Sequence, residues 1–222
     1  MDFTNLILTI NIPGYITTMV VISIILIIVA WLIGRKITVY GIGKAQAVAE
    51  MGTEMLMNLV EDIMGSRKKM LKYTPYLASM FLFIIVANYS GMVPGAGTFS
   101  QFTAPTSTLT VTLSLGISAL IMTIIFAIKA KGTKAFLRSF IEPYAIVLPL
   151  NIIDEITKPV SLGLRLFGSI IAEEILIAAV YNIMPWIAPI PFYFISVFFG
   201  ALQAFIFTVL TSIYISGATS EE

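Results

Sequence analysis

The sequence contains no cysteine and no histidine. Without cysteine there is no disulfide and no thiol chemistry. Without histidine the chain lacks the commonest transition-metal ligand and the usual proton shuttle near neutral pH. Charge is also scarce, at 11% Asp, Glu, Lys and Arg, against about 25% in a soluble domain. That is too little to cover a soluble core. The net charge of +1 gives no reason to expect a nucleic-acid partner. A cleavable leader is not expected, because Asp2 opens the chain and no basic n-region precedes the first apolar run. No internal repeat is visible, so an inverted-repeat transporter finds no support. Without Cys, His or a convincing nucleophile–base pair, an intramembrane hydrolase finds none either. No cofactor and no metal site are expected.

What the chain has is apolar length. Hydrophobic residues make up 58% of it, and Phe3–Gly34, Tyr73–Ile128 and Ile175–Ser220 carry no charge at all. A spanning helix needs roughly 20 apolar residues, and these runs do not alternate as barrel strands would. The expectation is an all-α integral membrane protein, a single membrane domain over 1–222. Spans are expected at about 15–34, 76–94, 107–128, 149–184 and 192–216. A Pro-containing break, MPWIAPIPF, separates the last two. Between the first two spans, Val48, Met51, Met55, Leu56, Leu59, Val60 and Ile63 recur at helical spacing. They predict an amphipathic helix over 44–64 lying at the membrane surface, with a soluble connecting helix as the alternative.

Charge asymmetry orients the chain. Of the 13 Lys and Arg, Arg35, Lys36, Lys44, Arg67, Lys68, Lys69 and Lys72 fall between the first two spans, and Lys129, Lys131, Lys134 and Arg138 follow the third. The loop between the second and third spans has none. The positive-inside rule puts the basic loops in the cytoplasm, the N-terminus outside and the C-terminus inside.

Two basic residues remain, Lys158 and Arg165, and both lie in the fourth helical region. In SLGLRLFGSIIAEE, Arg165 sits among Leu and Phe, and Glu173 and Glu174 follow in the same apolar run. Ionisable residues at such depth usually face a polar cavity or a partner and mark an ion path. Snorkelling to a helix end fits poorly, since about ten or more helical residues lie on each side. A buried ion pair with Glu173 or Glu174 remains an alternative. At about 100° per residue, Asp154, Lys158, Arg165 and Ser169 share one stripe. Glu174 falls on roughly the opposite side of the helix, about 13 Å along the axis, and Glu173 about a quarter turn from Arg165. A fixed cation favours the ionised form of a passing carboxylate and repels free cations. Glutamate can carry a proton or ligate a metal cation. A mobile carboxylate for Arg165 to meet is not evident in this chain, so a partner must supply it. Gln203 is isolated in the last apolar helix, with Ser196 two turns earlier on nearly the same face; helix–helix hydrogen bonding is the alternative for Gln203. Thr208, Thr211 and Ser212 are weaker candidates, since such hydroxyls often bond the preceding turn. Asn88, near the outer end of the second span, reads equally as a helix-end residue.

KPVSLGLRLFG, AEE and LQAFIFTVLTSIY resemble the sequence motifs of subunit a of the rotary ATP synthase, with NYSGMVPG and PTSTLTVTL resembling it more loosely. The resemblance covers about residues 75–217. It implies a stator subunit that carries H⁺, or alternatively Na⁺, through two half-channels to and from the carboxylates of a c-subunit ring. It also implies a b-subunit peripheral stalk and the rest of the complex as partners, membrane lipid around them, a cell-membrane location, and no catalysis by this chain alone. Arg165 then matches the essential arginine facing the ring, Glu174 the acidic outer-channel position, and Gln203 a polar residue near the arginine. The last two helices should be long, tilted and paired as a hairpin. Departures are Ser169 for a frequent asparagine, Glu173 for a frequent glycine and Ser196 for an occasional histidine. They make Glu173, Ser169 and Ser196 further candidates on the access path. Asp154, Glu155 and Lys158 are candidates for the inner side. A stand-alone secondary ion transporter and a purely structural membrane subunit are the rival readings.

Overall fold

A computed structural model describes residues 14–35, 44–92, 104–141, 145–184 and 187–220. The side chains at 33, 44–46, 48 and 49 lie outside the description, as do Lys36, most of the neutral loop after the second span, Pro185, and the C-terminal Glu221 and Glu222. The described chain is helical, with no strand. Its helices are α1 (Gly14–Arg35), α2 (Lys44–Met64), α3 (Arg67–Ser90), α4 (Leu109–Lys131), α5 (Thr133–Ser139), α6 (Leu148–Ile183) and α7 (Pro189–Thr219). All but α2 and the short α5 are long and apolar enough to cross a membrane, so the chain is an all-α, multi-pass membrane protein.

Two helix starts differ from the sequence expectation, each for a local reason. The second span was expected to begin near residue 76, where charge ends. α3 instead begins at Arg67 and carries its basic turn, with Pro75 inside. Lys and Arg are good helix formers, so the helix outlasts the apolar window. α7 was expected from about 192, after the prolines. It starts at Pro189, because a proline in the first turn lacks only an N–H that would have no helical partner anyway. The break between α6 and α7 is correspondingly shorter.

Two apolar clusters hold the helices together. Met80, Ile84, Ala119, Leu162, Leu166, Ile170, Ala204 and Phe207 join α3, α4, α6 and α7. Val60, Met64, Met70, Tyr73, Leu77 and Ile215 join α2 to α3 and α7. The apolar stripe of α2 therefore divides: Leu56 and Val60 are buried, while Met51 and Met55 are exposed.

Apolar burial alone is a weak glue between helices in lipid, where close backbone approach counts for more. The α4–α6 pair uses it. A Cβ at Gly116 would collide with the Pro159 carbonyl, and one at Gly163 would lie 2.9 Å from the Thr112 carbonyl oxygen. At the other end, Asn88 Nδ2 donates to the Gly200 carbonyl at 2.9 Å, and the Tyr89 hydroxyl donates to the Val197 carbonyl at 3.0 Å. These two bonds fasten α3 to α7.

Candidate functional site

α6 is 36 residues long, about 54 Å at 1.5 Å per residue, well beyond a hydrocarbon layer of roughly 30 Å. One face of it, Pro159, Leu162, Gly163, Leu166 and Ile170, is buried. The rest is open. Only 11% of its most apolar window is buried, against 39% for α3 and for α7. Arg165 stands on the open side, exposed, between exposed Leu164 and exposed Gly168. Among the described residues it forms no ion pair and no hydrogen bond. The alternative of a structural pair with Glu173 or Glu174 is therefore not what the structure contains.

A cavity of about 450 Å³ lies on one side of this arginine along the chain. α6 contributes Glu173, Glu174 and Asn182 to it, α7 contributes Tyr193 and Ser196, α3 contributes Asn88, and Ser107 comes from the turn before α4. Glu173 is half-buried and shares this cavity with Ser196. Glu174 shares it with Ser107, whose hydroxyl donates to the Ala104 carbonyl at 2.8 Å. Asn88, whose amide N–H is committed to α7, leaves its Oδ1 buried and unpartnered. The two carboxylates, about 100° apart on the helix, thus open into one polar space. Four chain segments supply the walls.

A second cavity, about 460 Å³, lies toward the other end of α6. Asn151, Asp154, Glu155 and Lys158 line it from α6, facing Tyr214 on α7. Lys158 Nζ lies 2.5 Å from Glu155 Oε2 and 5.6 Å from the centre of the Tyr214 ring. Pro159 has no N–H to offer the Glu155 carbonyl, so the helix ladder is interrupted beside this ion pair. Lys158 is about 10 Å from Arg165 along the axis, and Glu173 about 12 Å in the other direction. Neither cavity is lined by Arg165.

The other sequence candidates are placed as follows. Gln203 is buried, 6% exposed, next to Ala204 of the central cluster, and lines neither cavity. Ser169 is half-buried and gives its hydroxyl to the Leu166 carbonyl at 3.0 Å. Thr208 and Thr211 bond the carbonyls of Ala204 and Phe207, as hydroxyls in membrane helices often do. Sequence reasoning missed Ser107, Asn182, Tyr193 and Tyr214. Only their polar atoms or rings at the edges of apolar runs could have marked them.

The family described as ATP synthase A chain matches residues 16–216. ATP synthase subunit a of Moorella thermoacetica is 36% identical over 196 residues, covering 88% of this chain and 86% of that one. The subunit a of Campylobacter fetus is 32% identical over 226 residues, covering 99% and 97%. ATP synthase subunit a 1 of Chlorobaculum parvum is 32% identical over 191 residues, covering 86% and 81%.

Proposed function

Since the chain belongs to the ATP synthase A chain family, a membrane-sector subunit of that complex, we propose that its two cavities are the half-channels of an ion path and that Arg165 is the fixed charge between them. The observation that carries this is the exposed, unpaired arginine on the open face of α6, between a carboxylate-lined cavity on one side and an ion-paired cavity on the other. An unpaired cation on an apolar face needs a partner from outside the chain. A ring of c subunits, each bringing one carboxylate, supplies it.

In this reading an ion enters from the outer side past Glu174 and Glu173, with Ser196 and Ser107 lining the same cavity. It loads a ring carboxylate, which then turns away neutral. After nearly a full turn the site releases its ion to the inner cavity, where Asp154 and Glu155 accept it and Lys158 holds Glu155. The emptied carboxylate passes Arg165 as an anion. Arg165 also closes the direct route between the cavities, so ions cross only with rotation. Each charge gains about 2.3 kcal/mol per 100 mV of membrane potential. Ser169, one turn from Arg165 on α6, and Gln203 on α7 are assigned roles beside the arginine. The lengths of α6 and α7 exceed the hydrocarbon thickness, which supports a tilted hairpin against the ring. The chain then sits in the cell membrane, N-terminus outside and C-terminus cytoplasmic, with a b-subunit stalk holding it still.

The transported ion is H⁺ in the first reading. A Na⁺ reading is favoured by one feature, the oxygen-only set of Glu173, Glu174, Ser196 and Ser107 in one cavity, which suits a hard cation. ATP-driven uptake of radioactive sodium by proteoliposomes holding the whole complex, with and without protonophore, separates the two. Uptake that persists with protonophore means Na⁺; protonophore-sensitive luminal acidification without uptake means H⁺. Failure of both, in an intact complex that hydrolyses ATP, removes the half-channel reading.

A further inference from the structure

A third cavity, about 450 Å³, lies at the start of α3, away from the ion path. Lys68, Lys69 and Lys72 line it on one side; Tyr73, Ala130 and the α7 end at Thr219 and Ser220 complete it. Among the described residues none of the three lysines is ion-paired. Lys69 is half-buried and reaches the Thr219 carbonyl at 3.5 Å, while Lys68 and Lys72 are exposed. Lys72 Nζ lies 5.4 Å from the centre of the Tyr73 ring. Three ammonium groups within five residues repel one another unless an anion lies between them. The N-terminus of α3 adds its own positive end.

We infer that this cavity binds the phosphate headgroup of an anionic membrane lipid. A cavity of this size accommodates a small headgroup, and basic pockets between membrane helices are suited to one. Its position selects the lipid over a soluble phosphate. The charge-free run of the chain begins at Tyr73, so the lysines sit where α3 enters the hydrocarbon. Exposed Leu71, 58% accessible, leads from the cavity along the helix, where acyl chains would lie. A soluble anion gains nothing from that apolar flank. The bound lipid would bridge α3 to the ends of α4 and α7, adding to the apolar packing around Tyr73 and the long Lys69–Thr219 hydrogen bond.

The test uses the whole complex in phosphatidylcholine nanodiscs doped with phosphatidylglycerol carrying a photoreactive acyl chain. A parallel sample carries the same chain on phosphatidylcholine. Cross-linked peptides are mapped by mass spectrometry. Phosphatidylglycerol should label the first turns of α3, and phosphatidylcholine should not. Lys68→Gln and Lys72→Gln, at exposed positions, should each lower labelling about fivefold at limiting probe, and Lys→Arg at the same positions should restore it. Excess inorganic phosphate, at matched ionic strength, should leave labelling intact. Equal labelling by the two lipids, or undiminished labelling in the Gln variants, would overturn the inference and leave the lysines as topology signals. Displacement by phosphate would assign the cavity to a soluble anion instead.

Discussion

Replacing Arg165 with alanine should do two separable things: stop coupled ATP synthesis and open a passive leak. The size of the leak follows from the geometry. Along α6 the cavities approach Arg165 to about 10 Å, at Lys158, and about 8 Å, at Ile170, and a cation crossing directly between them must pass the guanidinium. At an effective dielectric constant near 20, a cation about 4 Å from a fixed positive charge is raised by roughly 4 kcal/mol. Removing that charge should therefore speed leakage by up to about 10³. Arg165→Lys keeps the charge, so its leak should stay near the wild type, although the smaller ammonium, which can lose its proton, should still impair synthesis. Vesicles holding the complex, without nucleotide and under a potassium diffusion potential, report the leak through a luminal pH dye or radioactive sodium. Luciferase reports synthesis in parallel. Equal leaks in the Ala and Lys variants, or coupled synthesis by the Ala variant, would refute the electrostatic argument.

Four further outcomes are expected. Glu174→Gln should cut ion flux by about 10², the scale of losing a positioned proton-transfer group, whereas Glu173→Gln should cut it less; unchanged flux would remove Glu173 from the path. Glu155→Gln breaks a partly exposed pair worth roughly 0–1 kcal/mol, so the melting midpoint of the complex should hold while ion release slows. Gly116→Val drives a side chain into the Pro159 backbone and should destabilise by about 1–3 kcal/mol, read as a lower melting midpoint; Gly52→Ala on α2, with nothing within 4 Å, is its control. Asn88→Leu removes the bond to Gly200, at a cost of about 0.6 kcal/mol, and should be seen as faster hydrogen exchange where α3 meets α7 around Asn88 and Gly200.

The five membrane helices are visible in the sequence because charge is so rare that each apolar run stands out. Their ends are less visible: the start of α3 lies among lysines and that of α7 among prolines, and neither is marked by hydropathy. Arg165 stands out as a candidate for the same reason as the spans, since a lone cation in an apolar run has few bland explanations. The cavity walls on either side of it do not. Helical spacing sets Glu173 and Glu174 apart on the α6 wheel, yet Ser107 and Ser196 from two other segments gather both carboxylates into one cavity. No periodicity along one helix encodes what another helix brings to it.

The glycine contacts between α4 and α6 carry a mechanical consequence. Close to Arg165, α6 rests on α4 through main-chain atoms at Gly116 and Gly163. Flexible side chains between two helices act as springs and yield under sideways force. Backbone seated on backbone does not. A push on α6 is therefore passed to α4 with little give; under the proposed mechanism, the energy of an ionic step would not be absorbed as bending of the helix that receives it.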